Sequence, residues 1–409
     1  MSFDFDCLND RNGTGSIKWD RRTKRMKDIQ CFPMSYADMD LKTAPAISEA
    51  LAHASVQGIY GYTDPDEEYL LSVIGWMQGR HGWRVAPEWI VCTGGVLPAI
   101  SGAIRAFTKA GDQVIVQKPG YYLFDAAIEN NGCEVIENCL IKQNGRYTID
   151  FEDLAQKVSD PRAKIFILCS PHNPVGRVWT CDELQTLGQI CIENGVLMIA
   201  DEIHFDIVYP PNRHTVFASI SDEFAQNSIT CTSPSKVFNL AGLKNANIII
   251  PNDSLRQVFA GQFETDGYYH IGYFARAATI AAYNEGGAWM QALLKYIQDN
   301  DRVFTEFLTL EFPEVAKCPL EGTYLAWTDC RAWSLGQDAL ERFMVGKAKL
   351  ALDEGYIFGT GGSGFERWNL ALPRRALEEN LQRLAYAAHL SSGPRKYIAN
   401  NQILWHYYR

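Results

Sequence analysis

Residues 233–244 contain the lysine that is best placed for covalent chemistry. Lys236 lies beside the small hydroxyl residues Ser233 and Ser235 and precedes an apolar stretch at 237–243, for which the pattern predicts a helix. Desolvation of an ammonium group lowers its pKa, and the neutral amine can then form an imine with an aldehyde. Lys236 is therefore the candidate nucleophile, with an ordinary surface lysine as the alternative.

Two polar residues follow apolar runs that are typical of buried strands. Asp201 comes directly after the run 196–200, and Asn173 lies in a loop after the run 164–168. In α/β sheets the ligand crevice lies at the carboxyl ends of the strands. Asp201 would suit a protonated pyridine nitrogen, and the amide of Asn173 would face a ring hydroxyl. A helix N-cap at Asp201 and a plain turn at Asn173 are the alternatives.

A short glycine-containing loop precedes another predicted helix. Gly94, Gly95 and Val96 lie between the apolar residues 89–91 and a helical stretch that begins at Leu97. Backbone N–H groups at a helix N-terminus suit a phosphate group. Two glycines alone are a weak motif, so this loop is a candidate phosphate site only in combination with the other groups.

The elements that must position these groups alternate between strands and helices. Apolar runs at 114–116, 164–168, 196–200 and 247–250 predict buried strands, and 181–194 predicts a helix that Thr180 and Glu183 cap. We therefore expect an α/β fold with a mostly parallel central sheet wrapped by helices. The predicted organisation is an N-terminal arm at 1–44 that contributes to the small domain or a dimer, a large domain at 45–285, a small α+β domain at 286–391, and an extension of unassigned role at 392–409.

Composition excludes several classes of protein. Among 409 residues, 47% are apolar and 12% aromatic, enough for a substantial core rather than a disordered chain. A formal charge of −10 disfavours nucleic acid as a partner. No apolar run approaches the roughly 18 residues of a membrane span, and no secretory signal is evident. Eleven cysteines without a C-x-x-C pair indicate reduced thiols in the cytoplasm and no metal site.

Seven short words are distributed along the chain in a fixed order. They are Gly13-Thr14 with Lys18-Trp19-Asp20, Ala37-Asp38-Met39-Asp40, Gly61-Tyr62-Thr63, Arg80-His81-Gly82-Trp83, Gly176-Arg177-Val178-Trp179, Asp201-Glu202-Ile203-His204 and Lys236-Val237-Phe238-Asn239-Leu240-Ala241-Gly242-Leu243. Over nearly the whole chain, these words and their spacing resemble the fold-type-I pyridoxal-phosphate enzymes, which have the aspartate-aminotransferase-like fold. Within that superfamily the chain most resembles the MalY/PatB-like cystathionine β-lyases, which are carbon–sulfur lyases.

The resemblance implies a binding site for pyridoxal 5′-phosphate. Lys236 matches the lysine that holds the cofactor covalently, Tyr121 the aromatic ring stacked on the pyridine, and His204 a partner of the ring oxygen. The implied phosphate contacts are Gly94, Gly95, Val96, Ser233, Ser235 and Lys244. Without the family, Tyr121 and His204 would be ordinary core residues. Tyr62 is implied to reach the phosphate from the neighbouring subunit, so the resemblance implies a homodimer with shared active sites.

The resemblance also implies how a substrate is held. Arg367, in the context Arg367-Trp368-Asn369, would bind an α-carboxylate through its guanidinium fork, together with Asn173. Tyr36, Ala37 and Tyr121 would line the rest of the pocket. Tyr36 stands where tryptophan is common in the subgroup. This difference lies at the mouth of the substrate pocket and bears on which substrate is preferred. Taken alone, Arg367 would be read as a surface charge.

These roles favour one reaction. The freed Lys236 would remove the Cα proton as a general base, and loss of a thiolate from Cβ would leave aminoacrylate, which hydrolyses to pyruvate and ammonia. L-cystathionine or another cysteine S-conjugate fits this chemistry. An aminotransferase of L-amino acids, which uses the same residues, is the first alternative. A regulatory protein that binds a transcription factor on the same fold is the second.

Overall fold

A computed structural model describes residues 3–21, 31–268 and 270–391. The predicted extension at 392–409 lies outside these residues. Within them, no helix is long and apolar enough to cross a membrane.

The strands are short, and most consist of the apolar and β-branched residues that fit a covered sheet. In chain order they are β1 (Phe32–Pro33), β2 (Ile90–Thr93), β3 (Gln113–Lys118), β4 (Glu134–Cys139), β5 (Ile141–Gln143), β6 (Arg146–Thr148), β7 (Ala163–Cys169), β8 (Leu197–Asp201), β9 (Ser228–Thr232), β10 (Ala246–Ile249), β11 (Ala316–Lys317), β12 (Leu325–Asp329), β13 (Leu350–Ala351), β14 (Asp353–Glu354) and β15 (Phe365–Asn369).

The α-helices surround these strands. They are α1 (Pro45–Val56), α2 (Glu67–His81), α3 (Val96–Phe107), α4 (Leu123–Asn130), α5 (Phe151–Val158), α6 (Cys181–Glu193), α7 (Asp222–Gln226), α8 (Asp253–Thr265), α9 (Tyr273–Glu285), α10 (Gly287–Glu311), α11 (Gln337–Arg342) and α12 (Arg374–Ser391). The predicted cap of α6 is confirmed, because the Thr180 hydroxyl accepts from the Glu183 N–H and the Glu183 carboxylate accepts from the Thr180 N–H.

The large sheet has seven strands in the order β2-β10-β9-β8-β7-β3-β4. The pairs β9–β8, β8–β7, β7–β3 and β3–β4 are parallel, whereas β10 runs antiparallel to both β9 and β2. Side chains from both faces are buried under helices, as Ile165 and Phe166 illustrate on opposite faces of β7. The predicted mostly parallel central sheet is therefore confirmed, with β10 as its antiparallel member.

A second sheet, in the order β11-β12-β15-β14, is antiparallel throughout. The N-terminal segment joins this part of the molecule, because β1 pairs in parallel with β13 through Phe32 and Leu350. The next residues cross toward the large sheet, since the side-chain amide of Asn239 bonds the backbone of Met39 and Leu41. The segment 34–41 thus lies between the two sheets.

The helix predicted directly after Lys236 is wrong. Residues 234–239 form turns, and only Ala241–Leu243 form a short 3₁₀ helix. Asn239 has a left-handed backbone with φ of 58°, which an α-helix does not allow. The Asn239 side chain instead forms hydrogen bonds with backbone groups of segment 34–41. The apolar residues near Asn239 in the sequence do not predict this long-range contact.

Candidate active site

Four of the predicted site residues lie at the carboxyl edge of the large sheet. Lys236 follows β9, Asp201 ends β8, Asn173 follows β7, and Gly94 follows β2. Strands β2, β7, β8 and β9 point the same way, so their carboxyl ends open at a single edge, where an α/β sheet forms its crevice. Tyr121 reaches this edge from the loop after β3.

Lys236 is the best-placed nucleophile of the site. Its Nζ donates a hydrogen bond of 2.8 Å to the carbonyl oxygen of Ala37. Burial, followed by the positive charge of Arg367, lowers the pKa of Lys236 to about 8, although the carboxylates of Asp38 and Asp201 oppose this shift. A substantial fraction of the amine is therefore neutral near physiological pH, as nucleophilic or general-base chemistry requires.

Asp201 is a buried carboxyl group in the floor of the crevice. It pairs in register with Cys169 of β7 and Cys231 of β9, and its Oδ1 accepts from the Ile203 N–H at 3.1 Å. Burial raises the pKa of Asp201 to about 7, against the opposing effects of the Ile203 N–H and of Lys236. A cationic ring nitrogen placed against this carboxyl group would restore its charged form.

His204 and Tyr121 border the same space. The His204 ring lies edge-on to Tyr324 with 5.9 Å between ring centroids, and no described residue bonds its buried Nδ1. Burial, together with the charges of Lys236 and Arg367, holds the pKa of His204 well below its usual range, so the ring is neutral. The half-buried Tyr121 packs 5.4 Å from the Tyr122 ring.

The candidate phosphate loop has the geometry of an anion site. Val96 begins helix α3, and Gly95 before it has φ of 142°, a conformation that favours glycine. A side chain at Gly94 would lie 3.3 Å from the Tyr268 ring. Tyr268 was not predicted, because its closeness to Gly94 depends on contacts across about 170 residues of sequence that no local pattern encodes.

The hydroxyl groups beside Lys236 are mutually bonded. Ser233 Oγ donates to the carbonyl oxygen of Asn245 at 2.7 Å and lies 2.8 Å from Ser235 Oγ. The Lys244 side chain is exposed, and its charge contributes to the lowered pKa of Lys236. These groups would complete the surroundings of a bound phosphate.

Tyr62 lies apart from the other candidates within one chain. It is 94% exposed, and its described ring contact is with His270, at 5.2 Å between centroids. No described contact joins Tyr62 to Lys236 or to the loop at Gly94. A second chain would be needed to bring such a residue to a phosphate group.

The guanidinium group of Arg367 is buried, and its orientation is held by three contacts. Nη1 donates to Asn173 Oδ1 at 2.7 Å, Nη2 pairs with Asp353 Oδ2, and the guanidinium lies over the Phe358 ring at 4.8 Å. The buried Nε has no partner among the described residues. A cation with an unused N–H beside Asn173 is suited to bind a carboxylate. Asp353 was not predicted, because the register of β14 against β15 is not readable from sequence.

Tyr36 and Ala37 belong to a short strap, defined here as residues 36–41, that crosses the site. Tyr36 has a left-handed backbone with φ of 56°. Its N–H donates to Asp353 Oδ2 at 2.8 Å, and its carbonyl oxygen accepts from Asn369 Nδ2 at 2.7 Å. Asn369 also bonds the carbonyl oxygen of Asp38. The strap is therefore attached on one side to the small sheet and on the other to Lys236.

These residues fit pyridoxal 5′-phosphate. The buried Nδ1 of His204 and Nε of Arg367 are polar atoms without described partners, as expected beside a bound polar ligand. Lys236 could bond the aldehyde and Asp201 could face the pyridine nitrogen. The phosphate could take the N–H groups that begin α3.

The architecture is that of the fold-type-I pyridoxal-phosphate enzymes, with a lysine after β9 and a buried aspartate at the end of β8. The sequence model of the family described as aminotransferase class I and II matches residues 31–384. The chain belongs to this family.

Individual relatives show which members of the family this chain is similar to in sequence and structure. Cystathionine beta-lyase PatB of Bacillus subtilis is 43% identical over 383 residues, covering 94% of this chain and 99% of the relative. Protein MalY of Escherichia coli is 34% identical over 387 residues, covering 94% and 98%. The crystal structure of cystalysin from Treponema denticola, which contains a pyridoxal 5′-phosphate cofactor, superposes with a TM-score of 0.93 at 42% identity, covering 95% and 99%. The predicted family, fold class and subgroup resemblance are confirmed.

Proposed function

We propose that this protein is a pyridoxal-phosphate-dependent carbon–sulfur β-lyase. It cleaves L-cystathionine or a related cysteine S-conjugate to a thiol, pyruvate and ammonia. The observation that carries the proposal is that Lys236 and Asp201 lie at the carboxyl edge of the large sheet, where Arg367 of the small sheet bonds Asn173, in a chain with full-length similarity to PatB.

Arg367 and Asn173 set the orientation of the substrate. The guanidinium binds the α-carboxylate, and its existing bond to Asn173 at 2.7 Å limits the directions in which the fork can point. A carboxylate held in one place fixes the position of the Cα–H bond relative to Lys236. Asn173 then serves both the substrate and the ring hydroxyl.

Lys236 moves the proton. Its Nζ takes the proton from Cα, since burial and Arg367 bring the pKa of the amine to about 8. The bound cofactor supplies an electron-withdrawing ring that accepts the electron pair from Cα. Asp201 would keep a proton on the ring nitrogen, and a sulfur substituent on Cβ would leave as a thiolate. Water would then hydrolyse the remaining aminoacrylate to pyruvate and ammonia.

A product assay tests the proposal. The protein saturated with pyridoxal phosphate is incubated with L-cystathionine and with S-substituted cysteines, and free thiol and pyruvate are measured. We expect both products in equal amounts, abolished in Lys236→Ala and retained in Lys295→Ala, whose side chain is 76% exposed. Formation of the intact substrate's 2-oxo acid without thiol would instead identify an aminotransferase.

We propose further that the enzyme is a homodimer in which Tyr62 serves the partner's phosphate site. The support is the exposure of Tyr62 at 94% next to the exposed apolar residues Val56 and Ile59. Mixing inactive Lys236→Ala with weakened Tyr62→Phe chains should regenerate some fully competent sites. Activity that never exceeds the average of the two variants would contradict shared sites.

We also propose a cytoplasmic location and a division into an arm and two domains. All eleven cysteines are free thiols, which supports a reducing compartment such as the cytoplasm. The attachment of β1 to β13 supports an arm at 1–44 that joins the small domain at 286–391, with the large domain at 45–285. Limited proteolysis should cut near the junction of α9 and α10 if these limits are correct.

A further inference from the structure

We propose that Asp353 is a positioning residue that presets Arg367 for the α-carboxylate of an amino acid. The proposal rests on the proposed function in one respect, namely that Arg367 receives this carboxylate. It extends that function by assigning the orientation of the fork to a carboxylate on the neighbouring strand.

The two residues form a buried cross-strand pair. Asp353 of β14 lies directly opposite Arg367 of β15 in the antiparallel register. The two residues are 9% and 3% exposed, and Asp353 Oδ2 pairs with Nη2 of the guanidinium. Direct opposition on one face brings side chains into contact without bending either strand. The pair is thus fixed by the sheet rather than by flexible surface side chains.

The pairing with Asp353 occupies only part of the hydrogen-bonding capacity of the Arg367 guanidinium. The group has five N–H bonds. One is given to Asn173 and one to Asp353, while the ring of Phe358 covers one face at 4.8 Å. The buried Nε has no partner among the described residues. Two anchors therefore hold the plane of the fork and leave N–H bonds unused for an incoming carboxylate.

Asp353 also connects this subsite to the reactive lysine. The same Oδ2 accepts the Tyr36 N–H at 2.8 Å, and the following residue, Ala37, accepts from Lys236 Nζ. A continuous series of contacts thus runs from Arg367 through Asp353 and the strap to Lys236. Loss of the Asp353 charge would loosen the fork and the strap together, while Arg367 would keep its own charge.

Binding of two matched amines tests this role. L-alanine and ethylamine differ only in the carboxylate, and each is titrated into the holoenzyme while the visible absorption of the cofactor is recorded. In Asp353→Asn, we expect the dissociation constant of L-alanine to rise about tenfold, the scale of one charge-assisted hydrogen bond. The constant for ethylamine should stay within about twofold, because ethylamine has no carboxylate for the fork to hold and the two bonds from Asn369 still hold the strap.

Matched variants separate positioning from a general structural effect. Asp329→Asn removes a carboxylate of equal side-chain exposure, 12%, whose partners are Lys142 and Arg331, and it should leave both constants unchanged. Asp353→Glu should restore part of the L-alanine affinity. Equal weakening of both amines in Asp353→Asn, or no weakening of L-alanine, would overturn the proposal. L-alanine has no leaving group, so the result holds whether or not the enzyme eliminates thiols.

Discussion

The side-chain amine of Lys236 donates a hydrogen bond of 2.8 Å to the carbonyl oxygen of Ala37, a residue 199 positions earlier in the chain. The bond fixes the direction of the amine toward the strap. If Lys236 bonds an aldehyde covalently, as proposed, its amine would lose donors and the Ala37 carbonyl would become available to another N–H group.

Lys236 should make the stability of the cofactor-free protein depend on pH. Its folded pKa of about 8 lies below the ordinary 10.5, so between these values the unfolded chain holds a proton that the folded chain has lost. Stability from this group therefore rises with pH across that window, by roughly 3 kcal/mol. Denaturant unfolding should show the rise in the parent protein and not in Lys236→Met.

An exposed lysine provides the control for this measurement. Lys295→Met should keep the rise, because the Lys295 side chain is 76% exposed. Identical pH profiles for the parent and Lys236→Met would refute the assignment of the lowered pKa to Lys236.

Asp201→Asn should change stability and cofactor retention in opposite directions. The pKa of Asp201 is about 7, above the ordinary 3.8, so its contribution is fully present below 3.8 and is lost as the pH rises through about 7. Above neutral pH the cofactor-free variant should be more stable by on the order of 1 kcal/mol, because a buried charge has been removed. Its cofactor should be lost faster on dialysis, since an amide cannot balance a protonated pyridine.

The exposed Asp338 offers a comparison for this prediction. Asp338→Asn should leave cofactor retention unchanged. Thermal melting with and without pyridoxal phosphate measures both effects in one series, and equal shifts in the two states would show that Asp201 does not face the cofactor.

Asp40 should be essential for the stability of the N-terminal arm. Its carboxylate accepts from Lys18 Nζ at 2.7 Å, Trp19 Nε1 at 2.8 Å and Arg11 Nη1 at 2.8 Å, and Lys18 is 1% exposed. Asp40→Ala leaves the Lys18 charge buried and poorly compensated, which costs about 3–5 kcal/mol of unfolding free energy. Replacing both partners, as in Lys18→Met with Asp40→Leu, should recover most of that loss in urea unfolding.

Gly95→Ala should weaken cofactor binding. The φ of 142° at Gly95 is strained for any residue with a Cβ, so the loop must shift its N–H groups away from the phosphate. We expect the dissociation constant for pyridoxal phosphate to rise about tenfold, the equivalent of roughly 1.4 kcal/mol. Gly261→Ala, within helix α8 where an added Cβ meets no atom within 4 Å, should bind the cofactor normally in equilibrium dialysis.

The predictable part of the molecule was the part encoded by local pattern. The apolar runs 164–168 and 196–200 correspond to β7 and β8, because strands covered on both faces need continuous apolar residues. Since these strands are parallel, residues that follow their carboxyl ends necessarily meet. Asp201 and Asn173 could therefore be placed at one edge from sequence.

The missed features depend on contacts between distant segments. Asp353 meets Arg367 through the register of β14 and β15, and Tyr268 meets Gly94 through the packing of α8 on α3. Asn239 was assigned to a helix by its apolar neighbours, whereas its side chain binds the strap. A run of apolar residues indicates that a segment is buried. It does not indicate which distant backbone groups a polar side chain in that segment will bond.

The strap has a consequence for biosynthesis. Tyr36 and Asp38 are bonded by Asn369, which lies 333 and 331 residues later in the sequence. A ribosome must therefore release the chain past residue 369 before the pocket can close around the lysine. Nascent chains that stall or are cut short will lack the assembled catalytic centre, even when their seven-stranded sheet is already complete.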